Sequence, residues 1–306
     1  MPSISRRAYR QPVPIARRGS SIVVFSDVDG VLRAPHMPAF TTAAATLKQL
    51  DGDDTAVVLC SGKTRAELEF VQQKLEITHP FICENGGAVI IPSGYFDVEV
   101  PNARAVAGRQ AVEFGRAYAD VVEILHRTAD RLRIEIVGFS DMSIEEVARD
   151  CRLPLLDARL AKLREYEEPF RLIDPGLVAR ARLFKALDAA KLRGREGRPF
   201  DRAGAPVDCA VGVNLLISLY RRSRGDLTTI AVTHTTPGHS LLRLADSAIM
   251  AADDNPGEES INVVDWAEAI VDRVKRLRER RSGLADRKIL SARDVSGPER
   301  DDIIRP

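Results

Sequence analysis

The chain has 306 residues, of which 44% are hydrophobic and 29% charged, the balance of a folded globular protein with room for one large or two ordinary domains. Lys and Arg number 45 against 44 Asp and Glu, and a net charge of +1 argues against a dedicated nucleic-acid binder; no apolar run nears the roughly 20 residues that span a bilayer. The scattered cysteines Cys60, Cys83, Cys151 and Cys209 form no CxxC pair, which argues against a zinc ribbon or disulfide framework and points to a reducing, cytoplasmic setting.

Residues 1–20 carry Arg6, Arg7, Arg10, Arg17 and Arg18 and no acid, and read as a basic flexible leader. A solvated tail is preferred to an organellar transit peptide, because no amphipathic period is clear. Ser21–Phe25 is an apolar run that stops at an acidic loop, as a buried parallel strand does. An Ala-rich helix over Thr41–Leu50, a strand over Thr55–Cys60 and a helix over Arg65–Leu75 follow, then short strands at Pro80–Cys83 and Ala88–Ile91. Strands alternating with helices predict a parallel, doubly wound sheet.

From about residue 95 to 204 the pattern changes. Helices are predicted around Tyr118–Arg131, Ser143–Asp150, Leu156–Leu163 and Leu177–Ala190, with strands at Ile134–Phe139 and Tyr166–Leu172. Beyond it come a helix at Val211–Arg221, a strand at Thr229–Val232, a short helix at Ser240–Leu244, a strand at Ser247–Ala251 and a last helix from Val263. The fold expected is α/β: a Rossmann-like core over 21–94 and 205–280, an α+β cap inserted over 95–204, and a charged, disordered tail over 281–306. The stripe of Trp266, Ile270, Val274 and Leu277 should pack the last helix onto the sheet.

In open α/β sheets ligands bind beyond the carboxyl ends of the strands, so the residues after each strand matter most. The first strand runs into Asp27-Val28-Asp29-Gly30. Two carboxylates two residues apart repel each other unless a cation lies between them, and Mg²⁺ with oxygen ligands is the natural choice. Asp27 could then attack phosphorus while Asp29 serves as acid and then base; the plain alternative is an acidic turn that caps a helix. The second strand is followed by Ser61-Gly62-Lys63-Thr64, where a hydroxyl and free amides at a helix N-terminus suit a phosphate. An ordinary N-cap by Ser61 or Thr64 is the competing reading. Val57 stands where a Walker A loop needs its first glycine.

The Asp-Val-Asp-Gly turn and the later Ser-Gly-Lys-Thr resemble the first two motifs of the haloacid-dehalogenase (HAD) superfamily. Residues 60–67 (CSGKTRAE), 80–88 (PFICENGGA), 138–142 (GFSDM) and 164–170 (REYEEPF) are similar to the mannosyl-3-phosphoglycerate phosphatase family, and the likeness covers roughly residues 21–251. It implies Mg²⁺-dependent removal of phosphate from a glycosyl-3-phosphoglycerate or similar phosphorylated sugar through an aspartyl-phosphate. It implies Asp27 and Asp29 as catalytic residues, and phosphate held by Ser61, Gly62 and Lys63. Substrate or cap roles fall to Glu84, Asn85, Gly86, Arg164 and Glu168. It implies a small-molecule partner and no nucleic acid or membrane; the oligomeric state stays open.

Three departures from the family pattern weaken that expectation. Cys209 stands where the family has a lysine, and a thiol is never cationic. His234 and Gly238 stand at the two fourth-motif metal carboxylates, and imidazole suits a transition metal better than Mg²⁺. His234 is therefore a candidate ligand beside Asp27 and Asp29, with polar loop histidines at 234 and 239 as the plainer reading. The cap-return loop has also eroded to Glu196-Gly197-Arg198-Pro199-Phe200. Three functions stay in competition: a working phosphatase, a catalytically degenerate relative that binds or regulates, and a hydrolase that uses His234 with a transition metal.

Overall fold

A computed structural model describes residues 21–27, 37–50, 55–173, 177–233, 240–250 and 263–293. The basic leader, Asp29, His234, Gly238 and His239 lie outside the described residues.

Strand β1 (Ser21–Asp27) is buried along its whole length. Its residues alternate between two apolar layers: Ile22 and Val24 join one, Val23 and Phe25 the other. Helix α1 (Met37–Leu47) leads to β2 (Thr55–Cys60), which divides in the same way, with Val57 and Leu59 on one side and Ala56, Val58 and Cys60 on the other. Both strands are buried on two faces, which is why they read as continuous Val/Ile-rich runs rather than alternating ones. Helix α2 (Arg65–Leu75) starts at the capping box of Thr64 and Glu67 and buries Leu68, Val71 and Leu75.

Next come β3 (Phe81–Cys83) and β4 (Ala88–Pro92), joined by one tight turn over Glu84–Gly86, then β5 (Arg104–Val106) and β6 (Arg109–Glu113). The cap region holds α3 (Tyr118–Leu132), β7 (Ile136–Gly138), α4 (Ile144–Cys151), α5 (Leu155–Ala161), β8 (Glu167–Leu172), α6 (Leu177–Ala189), β9 (Arg193–Arg195) and β10 (Asp201–Gly204). The chain returns through α7 (Cys209–Arg224), β11 (Leu227–Thr233), α8 (Ser240–Leu244), β12 (Ser247–Met250) and α9 (Val263–Arg293).

The large sheet runs β12-β11-β1-β2-β3-β4-β6-β5 and the small one β7-β8-β10-β9. From β1 the chain moves outward to β2 and β3, and after the insert it comes back to place β11 on the other side of β1. That makes the carboxyl end of β1 the point where the strand order reverses, the place where open α/β sheets bind ligands. Helices α1, α2 and α9 cover one face through Phe40, Leu68, Trp266, Ile270 and Val274, and α7 covers the other through Val213, Leu216 and Tyr220. Trp266 also donates its indole N–H to Ser26 Oγ at 2.8 Å, so the last helix is fixed to the end of β1. In the insert, Val121, Leu125, Leu183 and Leu187 pack α3 and α6 on the small sheet.

The structure differs from the sequence-based expectation in four places. The large sheet is parallel only from β12 to β3; β4, β6 and β5 are antiparallel. The four-residue connection over 84–87 is too short for the crossover that a parallel β3–β4 pair would need. Residues 104–113 add two strands to the large sheet, beyond position 94 where the cap was expected to begin. Strands β9 and β10, which the sequence pattern does not predict, flank the Glu196–Phe200 loop and complete the small sheet. Finally, α9 continues to Arg293, past position 280 where the tail was expected to start.

Candidate active site

Asp27 is the last residue of β1, 8% exposed, and pairs in register with Cys60 at the end of β2. Immediately after β2 lies Ser61, buried, whose N–H donates to the Ile82 carbonyl at 3.1 Å. Lys63 N–H donates to Ser61 Oγ at 3.0 Å, which closes the Ser61–Lys63 turn on itself. The N-cap role belongs to Thr64: its hydroxyl accepts from Glu67 N–H at 3.1 Å while Glu67 Oε2 accepts from Thr64 N–H at 2.8 Å. Lys63 Nζ leans toward Glu67 at 3.8 Å. The carboxylate at the end of β1 and the serine turn at the end of β2 thus share one edge of the sheet.

Glu84, Asn85 and Arg164, three of the expected substrate and cap residues, direct their hydrogen bonds to other protein groups between core and cap. Glu84, 1% exposed, accepts the backbone N–H groups of Glu165, Tyr166 and Glu167 at 2.8–2.9 Å. Burial pushes its carboxyl above the usual range, against the pull of Arg164 and those three amides. Glu84, Asn85 and Gly86 have φ of 46°, 54° and 98°, three left-handed residues in succession. For Glu84 and Asn85 that conformation is strained, and it persists because the surrounding bonds over-determine it. Asn85 Nδ2 donates to Glu167 Oε2 at 2.6 Å, and Arg164 Nη1 donates to the Gly62 carbonyl at 2.7 Å. A Cβ on Gly86 would lie 2.3 Å from the Asp208 carbonyl, so only glycine lets α7 approach the turn.

Glu168 is fully buried inside the cap. It accepts from the Tyr118 hydroxyl at 2.6 Å and from Ser140 N–H and Oγ at 2.9 and 2.7 Å. Burial raises its pKa, with those donors opposing. Its neighbour Glu167, also buried and raised by burial, accepts from Arg195 Nη1 at 2.9 Å.

Cys209 opens α7, where Asp208 caps the helix by accepting Ala210 N–H at 2.8 Å. Sequence reasoning did not single out Arg195, Arg202, Tyr118 or Tyr166. The two arginines sit on cap strands β9 and β10 of three and four residues, too short for an alternating pattern to mark them in the sequence. Tyr166 fills the space beside two glycines, since a Cβ on Gly87 or Gly115 would come within 2.7–2.8 Å of it. Of the candidate metal ligands Asp27 alone is described, and its carboxylate is the hard oxygen donor that Mg²⁺ prefers. Among the described residues no group of three or more His, Cys, Asp and Glu gathers to hold a metal.

The model of haloacid dehalogenase-like hydrolases matches residues 24–99, the stretch that carries Asp27 and Ser61. The glucosyl-3-phosphoglycerate/mannosyl-3-phosphoglycerate phosphatase of Methanococcoides burtonii is 30% identical over 262 residues, which are 82% of this chain and 96% of that protein. The chain belongs to the mannosyl-3-phosphoglycerate phosphatase family. A second relative, the glucosyl-3-phosphoglycerate/mannosyl-3-phosphoglycerate phosphatase of Persephonella marina, is 28% identical over 79% of this chain and 89% of its own. A HAD/COF-like hydrolase from Plasmodium vivax superposes with a TM-score of 0.50 at 14% identity, over 83% of this chain and 97% of its own, and supports the HAD fold. HAD phosphatases generally use Mg²⁺. No described helix of this family member is long and apolar enough to cross a membrane.

Proposed function

We propose that the chain is a HAD-type phosphatase that removes phosphate from a glycosyl-3-phosphoglycerate or a similar phosphorylated sugar. The observation that carries this reading is the meeting of Asp27 with the Ser61–Lys63 turn at the carboxyl edge of β1 and β2, where the strand order reverses. Membership of a family whose relatives are named for that activity supports it.

In the proposed sequence a carboxylate oxygen of Asp27 attacks phosphorus and the ester P–O bond breaks. Asp29 gives its proton to the departing sugar oxygen. Asp29 then takes a proton from water, whose oxygen attacks phosphorus and releases orthophosphate with the Asp27 carboxylate restored. Ser61 and Gly62 hold the phosphate oxygens. Asp27 and Asp29 would hold Mg²⁺, which supplies charge neutralisation for the attacking carboxylate and the phosphoryl group.

A second reading, a catalytically degenerate relative that binds a phosphorylated sugar, is favoured by Cys209, which opens α7 where the family carries a lysine. Phosphate release from mannosyl- and glucosyl-3-phosphoglycerate with Mg²⁺, Mn²⁺, Co²⁺ or Zn²⁺ separates the two. Asp27→Asn should lower the rate by on the order of 10⁴-fold or more, the usual scale for loss of a nucleophile. Equal release by wild type and Asp27→Asn eliminates the enzymatic readings.

A further inference from the structure

The family's third-motif lysine is absent, yet a phosphoryl group on Ser61 and Gly62 still needs a positive partner. The structure brings one from the opposite side of the cleft. Arg202 stands on cap strand β10, between Pro169 of β8 and Arg195 of β9. A methyl built on Gly62 would lie 3.2 Å from Arg202 Nη1, so the guanidinium covers the glycine of the serine turn. The side chain of Asn85 lies beside it, with Nδ2 3.1 Å and Oδ1 3.2 Å from the same point.

The carboxylate best placed to consume that charge is already committed. Glu167 uses Oε1 for Arg195 Nη1 at 2.9 Å and Oε2 for Asn85 Nδ2 at 2.6 Å. Arg195 also donates to the carbonyls of Ala205 and Val207, so its guanidinium is engaged within the protein. Lys63 leans on Glu67, and Arg164 gives Nη1 to the Gly62 carbonyl and Nε to the Ala161 carbonyl. Among the described residues, Arg202 is the cation at Gly62 whose guanidinium forms no side-chain ion pair or hydrogen bond, and its charge is felt by the buried Glu167 carboxylate.

Resting on the phosphatase reading above, we propose that Arg202 contacts the substrate's phosphoryl oxygens on the Ser61–Gly62 turn and supplies the charge that Cys209 does not. A guanidinium stays protonated throughout and presents a planar fork of N–H donors that matches phosphate geometry. Its place on the cap makes phosphate binding depend on the cap lying over the core.

The test uses the full chain with Mg²⁺ and glucosyl- or mannosyl-3-phosphoglycerate, and in parallel a titration of the same proteins with orthovanadate. Arg202→Gln should lower kcat/KM by about 10²-fold, and Arg202→Lys, which keeps the charge without the fork, by about tenfold. Cys209→Lys should raise kcat/KM at least about tenfold more in Arg202→Gln than in the wild-type background, a non-additivity that a merely structural role for Arg202 would not give. Orthovanadate affinity should fall about tenfold or more in Arg202→Gln, with an unchanged melting temperature. An Arg202→Gln variant within about twofold of wild type in both measurements overturns the proposal, as does a gain from Cys209→Lys that is no larger in a folded Arg202→Gln variant than in wild type. If wild type and Asp27→Asn release phosphate equally, the phosphatase reading fails and the orthovanadate titration alone decides the role of Arg202.

Discussion

The floor of the cleft and the seam between cap and core use polar residues in opposite ways. On the floor, Asp27 and Ser61 sit at the ends of buried parallel strands, fixed by sheet register and a single tight turn. Along the seam, Glu84, Arg164, Glu165, Tyr166 and Glu167 satisfy one another or the neighbouring backbone, and Arg65 donates Nε and Nη2 to Glu165 at 2.9–3.3 Å. Burying a carboxylate is costly unless its oxygens are bonded, and Glu84 answers that requirement with three amides from the other lobe. A charged residue in a motif can therefore mark a joint between lobes as readily as a contact with substrate. The difference lies in whether its partners are already present in the protein.

Three substitutions probe that contrast, beginning with the largest effect. Gly86→Ala strikes where seam and floor meet, because its new methyl would press on the Asp208 carbonyl and hold a left-handed φ of 98°. Urea unfolding should show a loss of about 2–4 kcal/mol. Phosphate release should fall with it, since the first turn of α7 has to move. A variant as stable as wild type would show that the turn and α7 are not tightly seated.

Glu168→Gln sharpens the same contrast through pH. Burial raises the Glu168 carboxyl in the folded protein above its value in the unfolded chain. Its contribution to stability is then full below the usual glutamate range and is lost as the pH rises through the raised value. Wild type should lose stability relative to Glu168→Gln as the pH climbs from about 4.5 toward neutrality, by roughly 1.4 kcal/mol for each unit by which the pKa is raised. Urea midpoints across that range measure the slope, and a difference that does not change with pH would break the prediction.

The smallest effect is expected at the rim. Arg104 pairs with Glu113 at 2.8 Å, but both side chains are substantially exposed. Arg104→Ala should change the melting free energy by less than about 1 kcal/mol, and added salt should shrink even that difference.

Much of the floor was legible in the chain itself. Apolar runs that end in Asp27 and Ser61 name both the strands and the residues at their ends, because strand burial and strand termination are local properties. The N-cap reading of Thr64 was legible for the same reason, as Glu67 follows three residues later. The seam was only half legible. Glu84, Asn85, Gly86, Arg164 and Glu168 stood out as a group, yet which of them face substrate and which face each other depends on segments about 80 residues apart in sequence. Arg202 was invisible because β10 is four residues long and gains its meaning from pairing with β8 and β9.

By itself, the sequence determined an α/β core, an insert, and the placing of the aspartate and serine turns at strand ends. These follow from hydrophobic period and turn chemistry, which act over a few residues. Only the tertiary structure decided that the far strands run antiparallel, that Glu84 ties the cap to the core, and that a cap arginine lies over Gly62. Each of those depends on which distant groups meet in the low-dielectric interior and find bonding partners there, and no local pattern of residues contains that information.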